Sequence, residues 1–164
     1  MSKSNTYKAG KHFLQVPGPT NIPDRILRAI DAPAIDHRGP KFQDLSKRIL
    51  ERIKLIFKST DPVVIYPSAG TGAMEASLVN TLSEGDKILM YETGEFARQW
   101  YEAAERFKIN VEFVPGDWRT GADPEITRQK LLADKKHEIK AVLVTHNETS
   151  TGIKSRVEDI RKAI

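Results

Sequence analysis

Residues 66–76 read Tyr-Pro-Ser-Ala-Gly-Thr-Gly-Ala-Met-Glu-Ala, so that Ser68, Gly70, Thr71 and Gly72 open a helical pattern directly after an apolar run. The first amides of a helix have no partner inside it and, with the helix dipole, attract an anion. Glycines let the backbone approach closely, and hydroxyls add donors. The segment lacks the lysine of the GxxxxGK[ST] phosphate loop and the spacing of the dinucleotide fingerprint. On local chemistry alone it is either a phosphate site or a tight turn that the fold requires.

A second polar turn, His146, Asn147, Glu148, Thr149, Ser150, Thr151 and Gly152, follows the most continuously apolar run of the chain, 141–145. Ligands of open α/β sheets sit beyond the carboxyl ends of strands, where this turn and the Gly70 turn would converge. Its hydroxyls can donate to a ligand or satisfy the turn's own backbone. His146 can orient the turn by hydrogen bonding, and Glu148 can cap or neutralise local backbone charge.

These turns need elements to carry them. From residue 61 onward, short apolar runs alternate with amphipathic helical patterns: strands over 63–66, 87–91, 111–114 and 141–145, and helices over 72–82, 97–107, 123–133 and 156–164. That rhythm predicts an α/β sheet with helices on both faces. Upstream, three prolines and Gly18 make 16–23 an ordered loop, followed by a short helix over 24–30. A loop with Asp36, His37, Arg38 and Gly39 precedes a helix over 42–57, whose stripe of Leu45, Ile49, Ile53 and Ile56 is expected to be buried.

Composition narrows the function classes. With 39% hydrophobic residues in 164, the chain can bury one core, and the absence of Cys removes disulfides, thiolate ligands and cysteine nucleophiles. The 26 basic residues are dispersed among 22 acidic ones, which describes a mixed solvated surface and argues against nucleic acid. Residues 1–12 are polar and basic without the apolar core of a secretory signal, and no apolar run reaches the roughly 18 residues of a membrane span. A cytoplasmic protein with no membrane partner and no metal site is expected.

In one order along nearly the whole chain stand PGPTNIP, IDHRGPKF, VVIYPSAGTGAMEASLVNTLSEGD, ETGEFARQW, VEFVPGDWRTG and KAVLVTHNETSTG. Together these strings resemble the N-terminal portion of the class V pyridoxal-phosphate aminotransferases, in their serine-glyoxylate and alanine-glyoxylate branch. The resemblance implies an incomplete large domain of the fold type I PLP-dependent transferases, with a mixed, mostly parallel sheet and flanking helices. Residues 1–23 would be an N-terminal arm and substrate-side loop, and 24–164 part of the cofactor-binding large domain.

The site residues follow motif by motif. Ala69, Gly70 and Thr71 match the family's phosphate cradle for pyridoxal 5'-phosphate, Phe96 the aromatic that stacks on the pyridine ring, and Thr149 the hydroxyl near the ring oxygen. Gly18 and Asn21 resemble the loop bordering the substrate pocket, and His37 and Arg38 a loop near the dimer-related active site. Ala69 stands where the branch commonly has Ser, which removes a hydrogen bond worth about 1.5–3 kcal/mol if direct and buried. Met74 stands where it often has Trp, and reads as a core residue.

In this family the Schiff-base lysine and the Asp beside the pyridine nitrogen follow the THNETSTG segment, so no catalytic residue is expected within the chain as given. The implied activity of the parent is transfer of an amino group from serine or alanine to glyoxylate by a homodimer, with small amino acids and 2-oxo acids as substrates. Two alternatives stand beside it: a catalytically inactive fragment or dimerising scaffold, and a phosphate-metabolite-binding α/β module.

Overall fold

The computed structural model describes Gly10 and residues 13–164; the rest of the expected N-terminal arm lies outside the described residues. The chain divides into two compact units at Tyr66 and Pro67.

In the first unit, α1 (Asp24–Ile30) begins directly after Pro23, whose carbonyl accepts from the amides of Ile26 and Leu27 at 2.8 and 3.1 Å. α2 (Pro40–Phe57) starts on a proline, which has no amide to leave unpaired, and ends on Lys58 in the left-handed conformation. The turn before it is held by Asp36, whose side chain accepts from the Arg38 amide at 2.9 Å and whose carbonyl accepts from the Gly39 amide at 3.0 Å.

Two expectations fail in this unit. No residue of α2 is buried: Leu45 and Ile53 are half-buried, while Ile49 is 43% and Ile56 79% exposed. Helical spacing of apolar residues states what a helix needs to cover, and the first unit does not by itself bury it. The expected strand over 63–66 is absent as well, with Val64 77% and Ile65 57% exposed. A β-branched run becomes a strand only when another strand takes its backbone groups, and the described ladders all lie elsewhere.

The second unit is the sheet and its helices. α3 (Gly70–Thr81) leads to β1 (Lys87–Tyr91), α4 (Glu95–Arg106), β2 (Asn110–Val114), α5 (Pro124–Ala133) and β3 (Ile139–Leu143). The three strands are parallel in the order β2-β1-β3, so β1 is central and four of its five residues are buried. That explains its unbroken apolar sequence: a central parallel strand is covered on both faces. Period-two alternation sends Ile88 and Met90 into a core with Leu78, Ala104, Ile109 and Leu143, and Leu89 and Tyr91 into a second core with Ala122 and Ile160. Full burial of each large aliphatic side chain contributes about 1.5–3 kcal/mol.

The chain then makes a short antiparallel hairpin, β4 (Asn147–Glu148) and β5 (Ile153–Lys154), before α6 (Val157–Ala163). Ser155 anchors its exit: its hydroxyl donates to the Thr145 carbonyl at 2.9 Å and accepts from the Ala122 amide at 3.2 Å. Across the second core, the Tyr91 and Thr127 hydroxyls lie 2.6 Å apart, and Thr127 donates on to the Asp123 carbonyl at 2.9 Å. Asp123 also caps α5 by accepting from the Glu125 amide at 2.8 Å.

Candidate cofactor site

At the carboxyl ends of the neighbouring strands β1 and β3, two loops are bound to each other. The first, Thr93 and Gly94 with the first turn of α4, carries Phe96; the second is the β4–β5 hairpin. Glu148, 1% exposed, joins them. Its Oε1 accepts from the Phe96 amide at 3.3 Å and its Oε2 from the Ala97 amide at 3.1 Å. The same Oε1 accepts from the amide and hydroxyl of Ser150 at 3.1 and 2.7 Å. Ser150 Oγ in turn accepts from the Glu95 amide at 2.9 Å, and Thr151 Oγ1 donates to the Thr93 carbonyl at 3.3 Å.

The first amides of α4 are therefore capped by residues more than fifty positions away, in place of a capping side chain of its own. Burial alone would push the Glu148 carboxyl up, but the Ser150 hydroxyl and the amides of Ser150, Ala97 and Phe96 outweigh it and hold it below the usual carboxylate range. Gly94 makes this contact possible. A Cβ there would stand 2.5 Å from Glu148 Cγ and 2.6 Å from Ser150 Oγ.

α3 offers the opposite case. Its N-cap Ala69 supplies no capping side chain, and Gly70 and Thr71 are exposed. A Cβ on Gly70 would meet nothing within 4 Å, whereas a Cβ on Gly72 would fall 1.9 Å from Ser68 Oγ. Ser68 thus folds back over the first turn of its own helix, and Gly72 is the glycine that permits it. Of the two helix starts, that of α4 is closed by a carboxylate from a distant part of the chain, whereas at that of α3 Ser68 lies over Gly72 and the Gly70 and Thr71 positions are exposed. The helices are tied one turn further on, where Trp100 Nε1 donates to the Met74 carbonyl at 3.2 Å.

The sequence-predicted residues fall into two groups. Phe96, half-buried, in the first turn of α4, and Thr149, exposed, in the hairpin, lie on the two segments that Glu148 joins; Ala69 caps and Gly70 and Thr71 begin α3 in the same unit. Gly18, Asn21, His37 and Arg38 lie in the first unit. There Asn21 Oδ1 accepts from the Leu14 amide at 3.4 Å, and the Arg38 carbonyl accepts from Gln43 Nε2 at 3.4 Å. Glu148 caps backbone, as its position in a strand-to-helix turn suggested. The bridging role of Ser150 and the steric need for Gly94 are not readable from local spacing, because both depend on a contact across two strands.

The residues present fit a phosphate-bearing aromatic cofactor: an open helix start with an exposed Thr71 hydroxyl, an aromatic whose backbone is fixed, and a free-standing Thr149 hydroxyl. Thr93 and Thr145, which follow β1 and β3, carry buried hydroxyls without partners among the described residues. Among the described residues no group of His, Cys, Asp and Glu is placed to hold a metal ion, and no helix is long and apolar enough to cross a membrane.

A parallel sheet with a core on each face and polar loops beyond its strand ends is an α/β domain, and this architecture agrees with a fold type I pyridoxal-phosphate transferase. Residues 12–164 match the family described as aminotransferase class-V, and the chain belongs to that family, whose cofactor is pyridoxal 5'-phosphate. It is 46% identical to a serine-glyoxylate aminotransferase of Methylorubrum extorquens over 97% of this chain and 40% of the relative. It is 43% identical to an L-aspartate-glyoxylate aminotransferase of Paracoccus denitrificans over 91% of this chain and 38% of the relative. Among solved structures, an aspartate aminotransferase of subgroup IV from Thermus thermophilus superposes with a TM-score of 0.82 at 26% identity, covering 93% of this chain and 42% of that one. The chain spans about 40% of the length of the curated relatives it matches.

Proposed function

We propose that the chain supplies the phosphate-holding side of a pyridoxal-phosphate aminotransferase that passes an amino group from serine or alanine to glyoxylate. The observation that carries this reading is the contrast between the two helix starts: Glu148 fills that of α4, while Gly70 and Thr71 at that of α3 are exposed and Ala69 supplies no capping side chain. On this reading the Gly70 amide and Thr71 hydroxyl hold the phosphate, Phe96 covers a face of the ring, and Thr149 donates near the ring oxygen. Pyridoxal phosphate supplies the electron sink that makes amino transfer between an amino acid and a 2-oxo acid accessible. The chain's own part is to bind and orient: an oriented amide and hydroxyl fix the anion, and an aromatic fixes the plane of the ring.

Glyoxylate as acceptor is supported by the names of the two relatives, which differ in the donor, serine in one and aspartate in the other. A homodimer belongs to this reading, and the exposed Ile49 and Ile56 of α2 are apolar surface that a second copy would cover. Gly18, Asn21, His37 and Arg38 are assigned to the substrate side of that assembly.

The test is amino transfer to glyoxylate by the purified full-length protein, followed as glycine formed from serine, alanine or aspartate with and without pyridoxal phosphate. Cofactor-dependent transfer from serine or alanine is expected. Absence of cofactor-dependent transfer from these donors overturns the reading. The 164 residues alone are expected to give no transfer.

A further inference from the structure

We propose that Glu148 is a positioning residue of the cofactor site, a buried carboxylate that sets the spacing between Phe96 and Thr149. The proposal rests on the functional reading above and adds to it a residue that the motif comparison leaves without a role. Phe96 lies in the first turn of α4, after β1, and Thr149 in the hairpin turn, after β3; Phe96 is fixed through its own amide and Thr149 through its two neighbours. The Phe96 amide is bonded to Glu148 Oε1 at 3.3 Å. Thr149 stands between Glu148 and Ser150, whose side chains and amide are joined at 2.7 and 3.1 Å. Its own side chain makes no hydrogen bond among the described residues and is exposed. Phe96 is half-buried. One carboxylate therefore orders the backbone beneath both groups while leaving their side chains available.

The geometry also explains why a carboxylate is needed. Five N–H or O–H donors converge here: the amides of Glu95, Phe96, Ala97 and Ser150 and the Ser150 hydroxyl. Four of them end on Glu148, and a carboxylate accepts at both oxygens. Glutamine has the same shape but turns one acceptor into an NH2 group, which would face a backbone N–H. With its oxygen in the place of Oε1, Gln keeps the Phe96 and Ser150 donors and sets its NH2 group against the Ala97 amide, so Glu148→Gln pushes the start of α4 off the clamp on that side without opening a cavity. Because Glu148 closes the start of α4, the anion-binding start of α3 is untouched by the substitution. Its effect on the cofactor is expected in the ring more than in the phosphate.

The experiment compares wild-type and Glu148→Gln full-length proteins in four measurements. These are the dissociation constant for pyridoxal phosphate, the visible circular dichroism of the cofactor at saturation, amide exchange of the peptide spanning 93–98 without cofactor, and the cofactor-free melting temperature. The expected result is at least a tenfold weaker dissociation constant, a diminished visible dichroic band per bound cofactor, and faster exchange at 93–98. A lower melting temperature with unchanged affinity and an unchanged visible band would mean that Glu148 is a helix cap only, and overturns the proposal. Should Glu148→Gln not fold, Ser150→Ala removes the bridging hydroxyl and keeps the carboxylate on α4. It is expected to shift affinity and dichroism in the same direction by about threefold, and no shift in either overturns the proposal. Wild-type protein that binds no pyridoxal phosphate overturns the functional reading together with this one; wild-type binding with an indistinguishable variant overturns this one alone.

Discussion

Adding a methyl group at Gly94 should cost far more than adding one at Gly70, although both glycines precede or open a helix beyond a strand-like segment. At Gly94 the new Cβ would lie 2.5 Å from Glu148 Cγ, 2.7 Å from Cδ and 2.6 Å from Ser150 Oγ. The carboxylate must then move, and its bonds to the Phe96 and Ala97 amides at 3.3 and 3.1 Å go with it. Hydrogen bonds to a charged group contribute about 1.5–3 kcal/mol each, and two of them lost with partial rescue by water give about 3 kcal/mol. At about 2 °C per kcal/mol, a low figure suited to a larger chain, the expected fall in melting temperature is about 6 °C. At Gly70 a Cβ meets nothing within 4 Å, so Gly70→Ala should move the cofactor-free melting temperature by about 1 °C or less while weakening pyridoxal phosphate. Scanning calorimetry of both cofactor-free full-length variants decides it. Equal falls, or a larger fall for Gly70→Ala, would refute the contact assigned to Gly94.

Three further outcomes follow from particular contacts. Tyr91→Phe should cost about 1 kcal/mol, because Thr127 still donates to the Asp123 carbonyl; Thr127→Val should cost about 2–3 kcal/mol, because it strands a buried Tyr91 hydroxyl, and chemical denaturation of the pair checks the order. Acid should erase the advantage of wild type over Glu148→Gln. A carboxyl held below its ordinary value stabilises the fold above pH of about 4.5 and loses that contribution as pH falls through its folded value. Melting temperatures of the two proteins measured from pH 7 downward should therefore converge below about pH 4.5, and a widening gap would contradict the capping role. Thr71→Ala should weaken pyridoxal phosphate by about tenfold or more, one charge-assisted hydrogen bond, with little change in cofactor-free stability, as read by fluorescence titration and calorimetry.

Much of the second unit was legible because its signals are local. The run at 87–91 is apolar on both faces and becomes the central strand with those same limits, and Asp123-Pro124 marks the start of α5 as a cap followed by a proline. The hairpin β4–β5 was not legible: its strands are two residues each, too short for alternation, although Gly152 at φ +75° within a short polar loop is the cue for such a turn. The segment 63–66 has strand composition without a described partner, and composition cannot supply one. At the site, Gly70, Thr71, Phe96 and Thr149 stood out by motif. The chemistry that joins Phe96 to Thr149 runs through Glu148 and Ser150 over more than fifty residues of sequence, and only the pairing of β1 with β3 brings it together.

The central claim is that the open start of α3 carries the cofactor's phosphate. A crystal structure of the full-length protein with pyridoxal phosphate tests it most directly. Phosphate oxygens are expected within hydrogen-bond distance, about 2.7–3.2 Å, of the Gly70 amide and the Thr71 hydroxyl, with Glu148 still on the Phe96 and Ala97 amides. A phosphate bound elsewhere, with the first turn of α3 facing only water, would contradict it.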